Sequence, residues 1–246
     1  MRQPRVDYAG AFHHVMSRGN GKQNIFLSDN DRKAFLSILE EVISDCDWTC
    51  HSYCLMDNHY HLLLETPMGR LSEGMQLLNG IFGGKFNKAH DAVGHVMQGR
   101  YTSRLVKDDN HFLILLRYMA LNPVKAYLVR EPSEWRWSSY RALAGLSPSP
   151  PFLTCDLSLQ YFATNKEDAH NAYADYIHGF LPEALSGSLG YCPSLEELLG
   201  AFDRSSRDRA VHEAYNDFGF SMTEIADFLG VNCSTISRII KPNRKD

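Results

Sequence analysis

The chain has 246 residues, 44% hydrophobic and 22% charged, with a net charge of −4. Such a balance suits a globular protein of one large domain or a domain with an appendage, and it excludes a generally basic, nucleic-acid-coating body. No apolar run approaches the roughly 18 residues of a membrane span, and Met1 to Asp7 lacks a signal-peptide core. A cytoplasmic protein without membrane association is therefore expected.

Charge is uneven along the chain. Residues 1–150 hold 17 Lys and Arg against 15 Asp and Glu, whereas the remainder holds 8 against 14. Any nucleic-acid surface has to be a local patch. Six cysteines (Cys46, Cys50, Cys54, Cys155, Cys192 and Cys233) form no C-x-x-C pair. This argues against zinc fingers and for free, buried thiols.

In chain order, residues Tyr8 to Ser17 read as a first strand, ending in the turn-forming Arg18-Gly19-Asn20-Gly21. Asp29 or Asp31 can cap a helix over Arg32 to Cys46, whose stripe is Phe35, Leu36, Ile38, Leu39 and Ile43. Two strands, Thr49–Leu55 and His59–Thr66, flank the turn Asp57-Asn58. A second helix runs from Leu71 to about His90, and Gly94 to Lys107 forms a fourth strand region. Asp108-Asp109-Asn110 then caps a helix from His111 to Leu121, which Asn122-Pro123 ends.

Strand, helix, two strands, helix and strand make a split β-α-β repeat. The expected fold is α+β, a ferredoxin-like antiparallel sheet with helices. Trp135 to Tyr140 begins another helix, and Leu146-Ser147-Pro148-Ser149-Pro150-Pro151 reads as a linker. The predicted organisation is an α+β domain over 1–145, a linker over 146–153 and an all-α region over 154–246. In the last, helices are expected at Lys166–Phe180, Ser194–Phe202 and Arg207–Phe218.

Residues 221–240 carry a helix-turn-helix pattern. Ser221-Met222-Thr223-Glu224 is a capping box, Gly230 suits the tight turn, and Ile225, Leu229, Val231, Ile236 and Ile239 suit the contact of two crossed helices. Ser234, Thr235, Ser237 and Arg238 would then reach phosphates or base edges of duplex DNA. A helical hairpin used only for packing is the plainer reading.

Two features carry chemistry. His59 and His61 project from one face of their strand with Tyr60 on the other, a ready bidentate site for a divalent metal, although two polar residues on a solvated strand face would look the same. Tyr118 lies beside the apolar stripe Phe112, Leu116 and Met119, at helical spacing from His111 and Asn122. A core-edge aromatic with a wet hydroxyl shares that pattern. Arg100, Arg104 and Lys107 suit either a nucleic-acid backbone or a charged sheet edge.

Taken together, His59-Tyr60-His61 and Leu116-Arg117-Tyr118-Met119-Ala120-Leu121-Asn122-Pro123-Val124-Lys125-Ala126 resemble the single-tyrosine HUH transposases of the IS200-like kind, in their REP-associated tyrosine transposase branch. Ser17-Arg18-Gly19-Asn20, Gln98-Gly99-Arg100-Tyr101 and Trp135-Arg136-Trp137-Ser138-Ser139 extend the match, which covers about residues 4–145. The helix-turn-helix is an appendage found in some relatives only. Tyr60 is a departure, standing where the motif has a bulky hydrophobe.

The resemblance implies an HUH endonuclease fold that acts on hairpins of single-stranded DNA. His59 and His61 would be metal ligands, Asn122 a third, and Tyr118 the nucleophile. A tyrosine hydroxyl titrates near pH 10, so Mg²⁺ or Mn²⁺ would polarise the phosphate it attacks. Attack leaves a 5′-phosphotyrosine and a free 3′-hydroxyl, permitting cleavage and rejoining. Arg18, Arg100, Arg104, Arg117 and Lys125 are candidate phosphate contacts, and a monomer acting in cis is implied rather than a dimer. The alternative is a non-catalytic hairpin-binding regulator derived from a transposase.

Overall fold

The computed structural model describes residues 7–179, 195, 199, 204–216 and 222–240, in two compact units, Met1–Ser186 and Gly187–Asp246. In the first, an antiparallel four-stranded sheet has the order β2-β3-β1-β4, with β1 at Ala11–Arg18, β2 at Thr49–Leu55, β3 at His59–Thr66 and β4 at Thr102–Leu105. Between them in sequence come α1 (Asp29–Cys46) and α2 (Leu71–Ala89), and α3 (Asp109–Lys125) follows β4. This is the ferredoxin-like arrangement. Among the described residues no helix is long and apolar enough to cross a membrane.

The sheet is covered on both faces, so β3 is buried along almost its whole length, its histidines included. Alternation sends Tyr60 towards α1 and α2, where its ring meets Phe35 at 4.5 Å and its hydroxyl donates to Asn79 Oδ1 at 2.6 Å. Phe26, Phe35 and Phe82 complete an aromatic cluster there. The ring of Tyr60 thus does the work of the bulky hydrophobe while its one polar atom is satisfied. His61 faces the other way, towards α3.

Local signals explain the element ends. Ser28, rather than Asp29 or Asp31, caps α1, and its reciprocal partner is the Asp31 carboxylate, which also accepts from His90 Nε2 at 2.8 Å. Burial alone would raise the Asp31 carboxyl, but its bonds with His90 and Ser28 outweigh that and hold it below the usual carboxylate range. The fourth strand is shorter than Gly94 to Lys107, because the chain before Thr102 runs as a loop pinned by Asn20 N–H to Val96 O and Gln98 N–H to Arg18 O.

Three expectations need correction. α3 does not stop at Leu121: it passes through Pro123 to Lys125, so Asn122 lies one turn beyond Tyr118 within the helix. Trp135 to Ser139 is not helical. It runs along the outer edge of β2, with Leu55 N–H bonded to Trp137 O at 2.8 Å and Ser139 N–H to Tyr53 O at 3.0 Å, and only Tyr140–Leu143 (α4) turns helical. This covers a sheet edge that would otherwise expose unpaired groups.

The third correction concerns the linker. Residues 146–153 do not separate one body from another: Phe152 and Leu153 are buried, Thr154 N–H bonds Cys50 O at 2.8 Å, and Phe152 packs on Tyr53. After them α5 (Asp156–Gln160) and α6 (Lys166–His178) add Leu159, Tyr173 and Ile177 to the same core. Prolines here shape a tight turn into the core. A chain ending at residue 145 forfeits all of this burial, each large side chain being worth about 2–5 kcal/mol against a total stability of about 5–15 kcal/mol. It should show no cooperative thermal unfolding, whereas one ending at residue 186 should keep it. Calorimetry on the two truncations checks this.

In the second unit α7 (Arg204–Asn216), α8 (Met222–Leu229) and α9 (Cys233–Ile240) pack through Ala210, Val211, Ala214, Ile225, Ala226 and Ile236. Gly230, at φ +63°, ends α8, with Val231 N–H returning to Ala226 O at 2.9 Å and Gly230 N–H to Asp227 O at 3.3 Å. That pairing is a glycine helix stop. The cap at Ser221 lies outside the described residues, as do Phe180, Phe218 and all but residues 195 and 199 of the helix expected at Ser194–Phe202. Cys46, Cys50, Cys54 and Cys155 are free and buried as expected, but Cys233 is exposed, and Cys192 lies outside the described residues.

Candidate active site

Strand pairing assembles the site on the α3 face of the sheet. In the β1–β3 register Arg18 stands opposite His59, Met16 opposite His61 and His14 opposite Leu63, while β4 sets Arg104 opposite His14. Directly opposed residues share a face, so Arg18 and Arg104 bring positive charge to the histidines. The rings of His59 and His61 meet edge-on at 4.9 Å. Across the gap Tyr118 of α3 stands edge-on to His61 at 5.3 Å and to His14 at 6.0 Å.

The β2–β3 turn that presents His59 is held firmly. Asp57 O accepts from Ile25 and Phe26 N–H, Asn58 O accepts from Gly19 N–H at 2.8 Å, and the Asp57 carboxylate pairs with Arg32. The Arg32 guanidinium is buried over the rings of Phe26, Trp135 and Trp137, at 5.5–5.6 Å. Gly19 cannot be replaced here, since a Cβ would lie 2.0 Å from Gln23 O. The Arg18-Gly19-Asn20 loop is therefore a component of the scaffold beneath the histidines.

Each imidazole is held from behind. Asn58 Oδ1 accepts from His59 Nδ1 at 2.6 Å, the amide being oriented by its own Nδ2 donating to Lys22 O at 3.2 Å. His61 Nδ1 and His14 Nε2 share a buried hydrogen bond of 3.0 Å, with their rings stacked at 5.1 Å. Burial, reinforced by Arg104 and His111, pushes the His14 pKa down to about 3. Burial first, then His59, His14 and Arg104, likewise holds His61 well below the usual imidazole range. Burial thus favours the neutral form of both rings, the form in which His61 could ligate a metal.

His61 Nε2 is fully buried and, among the described residues, has no hydrogen-bond partner. An orphaned ring nitrogen between a second imidazole and a tyrosine fits metal ligation. Among the described residues no three His, Cys, Asp or Glu side chains converge on one point. A divalent ion would thus be held by the two imidazoles plus donors of another kind, for which the Asn122 amide, one turn after Tyr118, is placed on the same helix.

The remaining expected residues divide. Arg117 does not face the site. It is 1% exposed, donates from Nη1 to the Tyr176 hydroxyl at 3.1 Å and lies over that ring at 5.4 Å, so α6 covers it and removes it from the phosphate contacts. Lys125 is exposed at the end of α3. Arg100 is exposed and lines a groove of about 570 Å³ with Asn20, Asn79, Gly83 and Gly84. In the second unit Ser234 and Arg238 are exposed on α9, Ser237 is half-buried, and Thr235 and Arg238 border a concavity of about 450 Å³ with Arg207.

His14 and Asn58 were not singled out from the sequence. Parity within β1 places His14 on the face of Arg18, a legible signal, but the register that carries it to His61 is not local.

The family model for IS200-like transposases matches residues 8–121. The solved structure of a REP-associated tyrosine transposase bound to a REP hairpin superposes with a TM-score of 0.50 at 16% identity, covering 64% of this chain and 93% of that one. At that identity the likeness speaks for the fold. A candidate transposase from Deinococcus radiodurans overlaps more loosely, at a TM-score of 0.35 and 17% identity, over 47% of this chain and 93% of that one. No curated protein matches the chain.

Proposed function

We propose, from the match of residues 8–121 to the family model for IS200-like transposases, that the protein is a metal-dependent endonuclease and strand transferase for single-stranded DNA hairpins, with Tyr118 as its nucleophile. The observation that carries this reading is the approach of Tyr118 to His61, at 5.3 Å and edge-on, beside a buried imidazole nitrogen without a partner. A hairpin substrate is supported by the REP hairpin bound to the transposase of like fold.

His59, His61 and Asn122 would hold Mg²⁺ or Mn²⁺, and two nitrogen donors favour Mn²⁺, since Mg²⁺ prefers all-oxygen sites. When bound, the ion supplies Lewis-acid polarisation of the scissile phosphate. Arg18 and Arg104 set fixed positive charge beside it. The Tyr118 oxygen bonds phosphorus as the bond to the 3′-oxygen breaks, and the tyrosine gives up its proton while the strand leaves with a 3′-hydroxyl. The 5′-phosphotyrosine remains a diester, so attack by a 3′-hydroxyl runs the step backwards and rejoins strands.

Arg100 and Lys125 are proposed to contact the DNA backbone away from the reacting phosphate. Ser234, Thr235, Ser237 and Arg238 of α9 are proposed to meet duplex DNA, as the recognition helix of a helix-turn-helix. We take the protein to act as a monomer, with Tyr118 working in its own subunit. A labelled single-stranded hairpin with Mn²⁺ should yield a covalent protein–DNA adduct that survives denaturation and is absent with a chelator. Tight hairpin binding with no adduct under either metal would instead favour a non-catalytic DNA-binding regulator.

A further inference from the structure

We infer that His14 is a positioning residue that fixes the tautomer of His61, presenting its Nε2 lone pair to the metal ion. The inference rests on the proposed function, and it assigns to a β1 side chain a role in building the site. Ligation requires an unprotonated nitrogen, and a neutral imidazole has only one. Which nitrogen that is depends on the partner of the other.

For His59 the partner is decisive. The Asn58 amide nitrogen is engaged with Lys22 O, so its oxygen faces His59 Nδ1 and can only accept. His59 therefore carries its proton on Nδ1 and its lone pair on Nε2. For His61 the partner is a second histidine, and the 3.0 Å bond could hold its proton on either ring.

One observation breaks that symmetry. Were His14 the donor, His61 would carry its proton on Nε2, an N–H buried without an acceptor, and orphaned buried N–H groups are the rarer and costlier kind. This selects His61 as the donor through Nδ1 and His14 Nε2 as the acceptor. The two ligands then share one design, in which an acceptor behind Nδ1 sets the lone pair on Nε2. Asn58 serves one and His14 the other.

Long-range ¹H–¹⁵N spectra of the metal-free, full-length protein labelled at histidine read the tautomer directly, with His61→Gln assigning the signals. The expected wild-type state of His61 is Nδ1–H with an unprotonated Nε2. His14→Leu should shift it towards Nε2–H and weaken Mn²⁺ binding, measured by calorimetry, by about 10- to 100-fold, the scale typical for partners behind metal ligands. His14→Gln, whose Oε1 can still accept, should restore the wild-type tautomer and most of the affinity.

An Nε2–H signal for His61 in the wild type would overturn the inference without any variant having to fold. So would Mn²⁺ affinity unchanged by His14→Leu, and in both cases the proposed function stands. A wild-type protein that binds no Mn²⁺ would overturn the inference together with the metal-dependent reading of the site.

Discussion

Tyr118→Phe should abolish the covalent adduct while leaving hairpin affinity, Mn²⁺ affinity and thermal stability close to wild type. The substitution removes one oxygen and keeps the ring. That ring is what touches His14 and His61, edge-on at 6.0 and 5.3 Å, and Tyr118 is half-buried rather than enclosed. The scaffold accordingly loses little, since a hydrogen bond at a partly wet site is worth about 0.5–1.5 kcal/mol. The reaction loses its nucleophile. A fall in adduct yield of on the order of 10³-fold or more is expected, in the range seen when a catalytic nucleophile is deleted. Denaturing gels with a labelled hairpin give the yield, and fluorescence anisotropy the binding. Adduct formation at the wild-type rate would transfer the nucleophile's role to another residue and remove the central claim of the proposed function.

How far the sequence alone reaches depends on how local the determining physics is. The parity of His59 and His61 on one strand face follows from two-residue alternation, and α3 with Tyr118 on its flank follows from helical periodicity. Both depend on neighbours a few positions away. The partnership of His14 with His61 depends on strand register across 47 positions, which no periodicity encodes. Arg117 looked like a phosphate contact because a basic residue beside Tyr118 is normally exposed. The ring that buries it, Tyr176, lies on α6, 59 positions later. The proline-rich stretch failed as a linker for the same reason: its composition signals a turn, but whether a turn divides the chain into separate bodies depends on what Phe152 and Leu153 bury against. At Pro123 the local rule was outweighed, since α3 is packed against the sheet and tolerates one lost hydrogen bond.

The two histidines of the motif should then separate in a way that tests the geometry as well as the chemistry. His59→Ala and His61→Ala should each lower adduct yield by on the order of 10²-fold or more, because each removes a metal donor. Their effects on folding should differ. His59 is half-buried at a strand end and its loss opens onto solvent, so its stability cost should stay near 0.5 kcal/mol or below, as for a surface position. His61 is 1% exposed, and its removal leaves a cavity beside Tyr118 and strands His14 Nε2 without its bond. Orphaning a buried polar atom costs about 1–3 kcal/mol before the cavity is counted. Urea unfolding of the metal-free proteins isolates this term from any metal linkage. Raising Mn²⁺ should recover some of the activity of His59→Ala, whose scaffold is intact, and less of that of His61→Ala, in which the wall behind the site has changed. Equal stability of the two variants would mean that His61 is not enclosed between His14 and Tyr118, and the geometry on which the proposed site rests would have to be redrawn.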